Sequence, residues 1–356
     1  MKKGRDLQPL VSELTRQMDS KLDLLADTRS IQAVPHTLEG ASDGIALAIN
    51  GRGAFPTNSI ADGQLSSRLK IPKKYYDRMN AAWPELLCTN INHWFNTEPE
   101  KRLVRTLDGG ARAFLSEKYR PLDNWFLLEA ILPSLIEAKA EVVSCEVTET
   151  RLYIKAVTDH VQGEIKKGDV VKAGVVISNS EVGHGSLSVT PWLLRVLCMN
   201  GMKAHSWGKR KYHTGNKMGH NVTDLDNAWE LYTDATKQKT DEAFWMQVRD
   251  LVKSVMSQAT FEWICNEIRQ TTDNQIEGDP LAVIEKTQRK FNLNQIESSG
   301  VMQHLLKGND LSQWGLANAV TRTAEDAPSY DRATELEGIG WDVVELPRSD
   351  WKIMTA

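Results

Sequence analysis

Leu103-Val104-Arg105-Thr106-Leu107-Asp108-Gly109-Gly110-Ala111-Arg112-Ala113-Phe114-Leu115 decides the fold class. Two short runs rich in apolar residues flank an Asp-Gly pair, and Asp-Gly supplies the left-handed backbone that a tight hairpin turn requires. Val142–Val147 with Arg151–Val157, and Val170–Ser178 with Ser186–Val189, repeat the pattern. Strands joined by such short turns pair antiparallel. Helical spacing surrounds them. Leu7, Leu10, Val11, Leu14, Met18, Leu22 and Leu25 recur at three and four, which predicts a first helix ending before Pro35. Residues 39–63 read as strand and loop, with one apolar run from Ile45 to Ile49. Short helices over 64–70, 73–83 and 86–95 are bounded by Pro72 and Pro84, and Asp123-Asn124 caps a helix over 125–139 that Pro133 kinks or splits.

Thr190-Pro191 reads as an N-cap followed by proline, opening a helix from Trp192 to Met199 that Asn200-Gly201 ends. From 224 to about 340 the pattern is helical, with breaks at Gly278-Asp279-Pro280, Gly300, Gly308-Asn309 and Pro328. The expected fold is α+β: an antiparallel sheet built from hairpins with flanking helices, followed by a mostly helical C-terminal part. Three regions follow: helical and loop over 1–100, an antiparallel α+β core over 101–222, and helices over 223–356.

The 356 residues, 41% hydrophobic and 25% charged, have ordinary globular composition. Charges, glycine or proline interrupt every apolar stretch well before the roughly 18 residues a membrane helix needs, so no membrane partner is expected. Cys88, Cys145, Cys198 and Cys265 are widely scattered without a CxxC pair, which argues for reduced thiols and a cytoplasmic setting. The P-loop, GxGxxG, HExxH and EF-hand patterns are absent, and no G-x-S-x-G elbow joining a strand to a helix is read. No cofactor is expected, and no catalytic residue is assigned.

Charge divides by position. Residues 1–223 carry 30 Lys and Arg against 24 Asp and Glu, whereas residues 224–356 carry 13 against 23. From Val182 to Thr223, 42 residues contain no acid but hold Arg195, Lys203, Lys209, Arg210, Lys211 and Lys217. In Trp207-Gly208-Lys209-Arg210-Lys211-Tyr212-His213 the cations alternate with rings, the chemistry that meets single-stranded nucleic acid through phosphate pairing and base stacking. Arg68, Lys70, Lys73, Lys74, Tyr75, Tyr76 and Arg78 form a second such stretch, and Lys101, Arg102, Arg105, Arg112, Lys118, Tyr119 and Arg120 a third. The expected nucleic-acid contacts are Arg195, Lys203, Trp207, Lys209, Arg210, Lys211, Tyr212, Lys217, Arg105, Arg112, Arg120, Lys73 and Lys74. The same cations equally suit an acidic protein surface, or simply a solvated face.

His184, Cys198, His205, His213 and His220 fall within 37 residues, at intervals of 14, 7, 8 and 7 that match no standard metal spacing. No metal site is assigned, and Cys198 reads more simply as a buried thiol. Glu181 beside His184, or Asp224 and Asp226 after His220, are the acids a metal-dependent nuclease would use; they equally serve as helix caps.

Arg112-Ala-Phe-Leu-Ser-Glu-Lys-Tyr-Arg-Pro-Leu-Asp-Asn124, Val175-Val-Ile-Ser-Asn-Ser-Glu-Val-Gly183 leading to Leu193-Leu-Arg-Val-Leu-Cys-Met-Asn-Gly201, and Trp314-Gly-Leu-Ala-Asn-Ala-Val-Thr-Arg322 with Ser329-Tyr-Asp-Arg-Ala333 stand in order along the chain. Together they resemble the phage/plasmid-like protein family built around a domain of unknown function, over about residues 60–340. The resemblance implies a phage or plasmid origin and a bacterial cytoplasm, and it brings no reaction and no catalytic residue. Within these strings, Asn179, Ser180 and Ser186 are expected to shape a strand turn, and Arg195 to meet an anion or a buried carboxylate. Ser329-Tyr-Asp-Arg332 is expected to supply a helix cap and an ion pair. The expected function is DNA binding, of single strands in recombination, annealing or replication, with homo-oligomers compatible with that role. The alternatives are a counter-defence or regulatory factor that binds a host or phage protein, and a metal-dependent nuclease.

Overall fold

A computed structural model of the protein describes residues 1–38, 41–206 and 234–355. Its architecture is α+β, with three antiparallel sheets and, among the described residues, twelve α-helices. None of those helices is long and apolar enough to cross a membrane.

Residues 1–100 hold strands as well as helices. Helix α1 (Leu7–Ser20) stops five residues short of Leu25, because Leu22 and Leu25 belong to strand β1 (Leu22–Asp27). Strands β2 (Ile31–Leu38), β3 (Ala41–Ile49) and β4 (Gly53–Pro56) form one three-stranded sheet. The strand expected around Ile45–Ile49 is β3, whereas Pro35 hid β2, and Gly53 with Pro56 hid β4, from a propensity reading. Helices α2 (Ser59–Arg68), α3 (Lys73–Ala82) and α4 (Pro84–Thr97) follow. The expected hairpin is β5 (Lys101–Leu107) with β6 (Gly110–Ser116), its turn made by Asp108 and Gly109 at φ 52° and 78°. Strand β1 adds to β5 across residue 100. Leu47, Leu65, Tyr76, Ile91, Val104 and Phe114 join both small sheets and the three helices in one core.

Helix α5 (Asn124–Glu137) runs unbroken through Pro133 and leads into a five-stranded meander. Its strands are β7 (Ala140–Val147), β8 (Leu152–Glu164), β9 (Val170–Asn179), β10 (Ser188–Arg195) and β11 (Asn200–Lys203). The helix expected over Trp192–Met199 is therefore corrected to the β10–β11 hairpin. Val189 to Leu194 are buried without alternation, because helices cover both sides of this sheet, and a continuous apolar run cannot be told from a buried helix by period alone. Trp192 needs its neighbours small: a Cβ on Gly201 would overlap the indole, and one on Gly174 would come within 3.0 Å of it.

One sheet face packs on α1, α5 and α6 (Asp234–Val255) through Leu10, Ile131, Val175, Ile177 and Val252. The C-terminal part continues as α7 (Gln258–Arg269), α8 (Pro280–Phe291), α9 (Gln295–Gly308), α10 (Gln313–Thr323), α11 (Tyr330–Val344) and α12 (Arg348–Thr355). The expected breaks at Gly278–Pro280, Gly308-Asn309 and Pro328 separate helices. Gly300 does not; it lies inside α9, where an added Cβ would meet Thr323 at 3.1 Å. Ser329 caps α11 by accepting from the Arg332 N–H, and the Arg332 guanidinium makes two 2.8 Å bonds to Glu297.

Candidate functional site

The β9–β10 loop is where the parts of the chain meet. Asn179 Nδ2 donates to the Leu122 carbonyl (2.7 Å) and to Asn124 Oδ1 (2.9 Å). Ser180 donates to the Thr150 carbonyl (2.8 Å), while its own carbonyl accepts from Tyr119 (2.9 Å). Glu181 uses everything it has. Oε2 accepts from Arg112 Nη2 (2.6 Å), Oε1 from the Asn124 N–H (2.6 Å), and its carbonyl from Arg105 Nη1 (2.9 Å). Glu181 thus serves the first turn of α5, where a carboxylate is favoured by unpaired N–H groups. Asp123, expected to cap that helix, makes no side-chain cap bond. It is drawn instead to Arg105 Nη2 (2.6 Å) and Lys21 Nζ (2.5 Å).

Arg105 has no exposed surface, and its third contact is Nε to Asp23 Oδ1 at 2.9 Å. Burial alone would weaken its charge, but the bonds to Asp23 and Asp123 outweigh that and hold its pKa above the ordinary value. The reverse balance holds Asp123 below the usual carboxylate range: burial opposes ionisation, and Lys21 and Arg105 overcome it. Arg105 therefore faces no ligand; it locks β5 to the β9–β10 loop.

In front of this network lies a cleft of about 350 Å³, walled by Thr57 and Asn58 before α2, by Arg112, by the β7–β8 turn from Thr148 to Arg151, and by Glu181. A second, open depression of about 690 Å³, lined by Arg68, Lys73, Arg102 and His184, shares Glu149 and Thr150 with it. The two adjoin at the β7–β8 turn and together make up the groove between the N-terminal sheets and the meander. Arg68 and Arg102 pair with Glu100, and Lys73 with Asp77. The Arg151 guanidinium differs. It has no carboxylate partner among the described residues, and it occupies the space beside Gly185 (φ 124°), where any side chain would collide with it. Asp331 of α11 fixes the turn that carries Arg151, accepting from Tyr153 (2.7 Å), Thr150 (3.2 Å) and Thr148 (3.3 Å).

The remaining expected residues are dispersed. Arg195 meets the buried carboxylate, not a free anion: Nε lies 2.5 Å from Asp169 Oδ1, whose other oxygen accepts from Trp314 Nε1 at 2.9 Å. It projects from a strand rather than from a helix. Lys203 stands opposite Trp192, with its pKa lowered by burial and then by Arg151. Arg120 packs its guanidinium 5.5 Å from the Phe244 ring centre, and burial lowers its pKa too. Lys74 is exposed on α3. Trp207, Lys209, Arg210, Lys211, Tyr212, His213, Lys217 and His220, with Asp224 and Asp226, lie outside the described residues.

His184, Cys198 and His205 are not brought together. His184 lines the groove, Cys198 lies 3.7 Å from Arg195 Nη1, and His205 Nε2 is 3.0 Å from Asp342 Oδ1. Glu345 stands beside that pair, so that ligand atoms of His205, Asp342 and Glu345 fall within 4.8 Å of one another. This is the group among the described residues that could hold a divalent ion. Its acids were not anticipated; their three-residue spacing at the end of α11 places them on one helix face. Glu181, considered as a nuclease acid, has both oxygens engaged in the loop network.

Residues 114–333, more than half of the chain, match the family defined by a domain of unknown function, DUF932, and the chain belongs to that family. No curated protein and no solved structure matches it.

Proposed function

We propose that the protein binds single-stranded DNA along the groove between the N-terminal sheets and the meander, as a recombination, annealing or replication factor of a phage or plasmid. The observation that carries the reading is the acid-free stretch from Val182 to Thr223. Its first residues, Val182 and His184, line the groove, and its most basic and aromatic part begins just after Ser206. Arg151 adds, at the same groove, a guanidinium with no carboxylate partner among the described residues. Exposed Lys74, Arg78 and Tyr75 on α3 extend the combination of cations and rings that single strands require. A second reading, capture of a protein partner, draws on Trp83, Leu86 and Trp94, which expose an apolar face at α4.

The test is fluorescence anisotropy of a labelled single-stranded oligonucleotide, titrated with the protein at two salt concentrations. Binding is expected to weaken steeply with salt, because each phosphate contact releases a counterion. The Lys209/Arg210/Lys211→Ala variant and Arg151→Gln are each expected to weaken it and to flatten the salt dependence. Absence of binding at low salt by the folded protein rules the reading out and turns the search to a protein partner.

A further inference from the structure

A separate cavity of about 280 Å³ opens between the β10–β11 turn and helices α9 and α10, and shares no residue with the groove's walls. Asn200 lines it and is 2% exposed. Its Nδ2 donates to Thr321 Oγ1 (2.6 Å) and Asn318 Oδ1 (3.2 Å), which fixes the orientation of the amide. Its Oδ1 then has no donor among the described residues. A buried acceptor without a partner is unfavourable, so the position invites an incoming O–H or N–H.

The other lining groups favour negative charge. Lys307 of α9 has no carboxylate partner among the described residues. Arg322 of α10 donates Nη1 to the Cys198 carbonyl and holds Nη2 3.2 Å from the exposed Glu325. Arg195 keeps its pair with Asp169. Asp310, the single lining acid among the described residues, is occupied by Ser312 Oγ (2.6 Å) and Lys166 Nζ (3.2 Å). His304 completes the wall, its pKa lowered by burial and then by Arg322 and Lys307, so near neutral pH it adds a hydrogen-bonding edge rather than charge.

We infer that this cavity binds a small phosphomonoester bearing a hydroxyl group, with the phosphate toward Lys307 and Arg322 and the hydroxyl donating to Asn200 Oδ1. A dianionic phosphate suits cations on two facing helices. The volume has room for roughly ten non-hydrogen atoms, on a water-sized allowance of about 30 Å³ each. The site is independent of the DNA reading and uses none of the groove's residues.

Isothermal titration of the full chain with sn-glycerol 3-phosphate, n-propyl phosphate and inorganic phosphate tests it. Glycerol 3-phosphate is expected to bind at least tenfold more tightly than n-propyl phosphate, which has the same length but no hydroxyl. Lys307→Gln, an exposed change with an unaltered melting curve, is expected to weaken both esters several-fold. Bound ester is expected to slow maleimide modification of Cys198. Competition by a 5′-phosphorylated oligonucleotide, but not by its 5′-hydroxyl counterpart, would identify a nucleic-acid end as the source of the phosphate; no competition would identify a free metabolite. Equal affinity for the two esters, no binding of any probe at millimolar concentration, or unchanged binding by Lys307→Gln overturns the assignment.

Discussion

Lys155 Nζ lies 2.8 Å from Glu337 Oε1, with neither side chain exposed, although 182 residues separate them. The pair bolts the inner strand β8 to helix α11. It is fully supported: Trp192 Nε1 donates to the other Glu337 oxygen (3.2 Å), and the ammonium sits 4.7 Å from the Tyr330 ring centre. Removing one partner leaves an uncompensated buried charge, which costs about 3–5 kcal/mol. Lys155→Met alone is therefore expected to lower the urea midpoint sharply. Lys155→Met with Glu337→Leu is expected to recover most of that loss, leaving mainly the orphaned Trp192 N–H. Equal destabilisation by the single and double variants would mean the pair acts through something other than charge.

Arg105 makes a sharper geometric demand. Its three nitrogens serve Asp23, Asp123 and the Glu181 carbonyl, and the single ammonium of lysine cannot reproduce that planar fork. Arg105→Lys is expected to destabilise by about 2–4 kcal/mol, since buried acceptors lose their donors. Limited proteolysis should then cut first near the β9–β10 loop or between β1 and β5; cleavage confined to the C-terminal helices would contradict this.

The thiols divide by burial. Burial pushes Cys88 up to about 11, Cys145 to about 12 and Cys265 to about 11, whereas Cys198 is only partly buried. The thiolate is the reactive form, so at pH 8 iodoacetamide is expected to modify Cys198 in the folded protein and the other three only in denaturant. Mass spectrometry after short exposure reads this directly.

Asp62 should leave a signature in the pH dependence of stability. Burial raises its pKa from 3.8 despite hydrogen bonds from Thr57 (2.7 Å) and Tyr76 (3.0 Å). The folded carboxyl holds its proton more tightly than the unfolded one. Its contribution is thus largest below 3.8 and fades as pH rises through the raised value, opposite in sign to a salt-bridged carboxylate such as Asp123. In Asp62→Asn, Asn80 can turn so that its Oδ1, without a donor among the described residues, accepts from the new amide. The variant is expected to gain stability relative to wild type as pH rises from 4 to 7, measured by thermal melts across that range. A constant difference would place the ionisation elsewhere.

What was legible in the sequence was local. The Asp108-Gly109 turn, the proline-bounded helices and the Ser329 cap each depend on a few neighbouring residues, and each stands where those residues put it. Strand β10 was misread because the helices that bury its second face come from more than 100 residues away. Separation along the chain, of 69 residues for Arg112 and Glu181 and 26 for Arg195 and Asp169, also hid the fate of the cations. Nothing near Arg112 announces that Glu181 will meet it, or near Arg195 that Asp169 and Trp314 will. Arg151 escaped notice for the converse reason: a single arginine in a hairpin turn gains meaning only once Gly185 and the groove surround it.

The groove has no wall of its own. One side is borrowed from the segment before α2, another from a turn that Asp331 holds down, and its floor from a loop anchored by Arg105 and Asn124. Occupancy there consequently reports on the tertiary integrity of three distant stretches at once. A variant that loosened only the N-terminal sheets would retain the helical circular dichroism of the C-terminal part and yet lose the groove, and with it the DNA binding proposed above, so far-ultraviolet spectra alone are a poor guide to whether a preparation is competent.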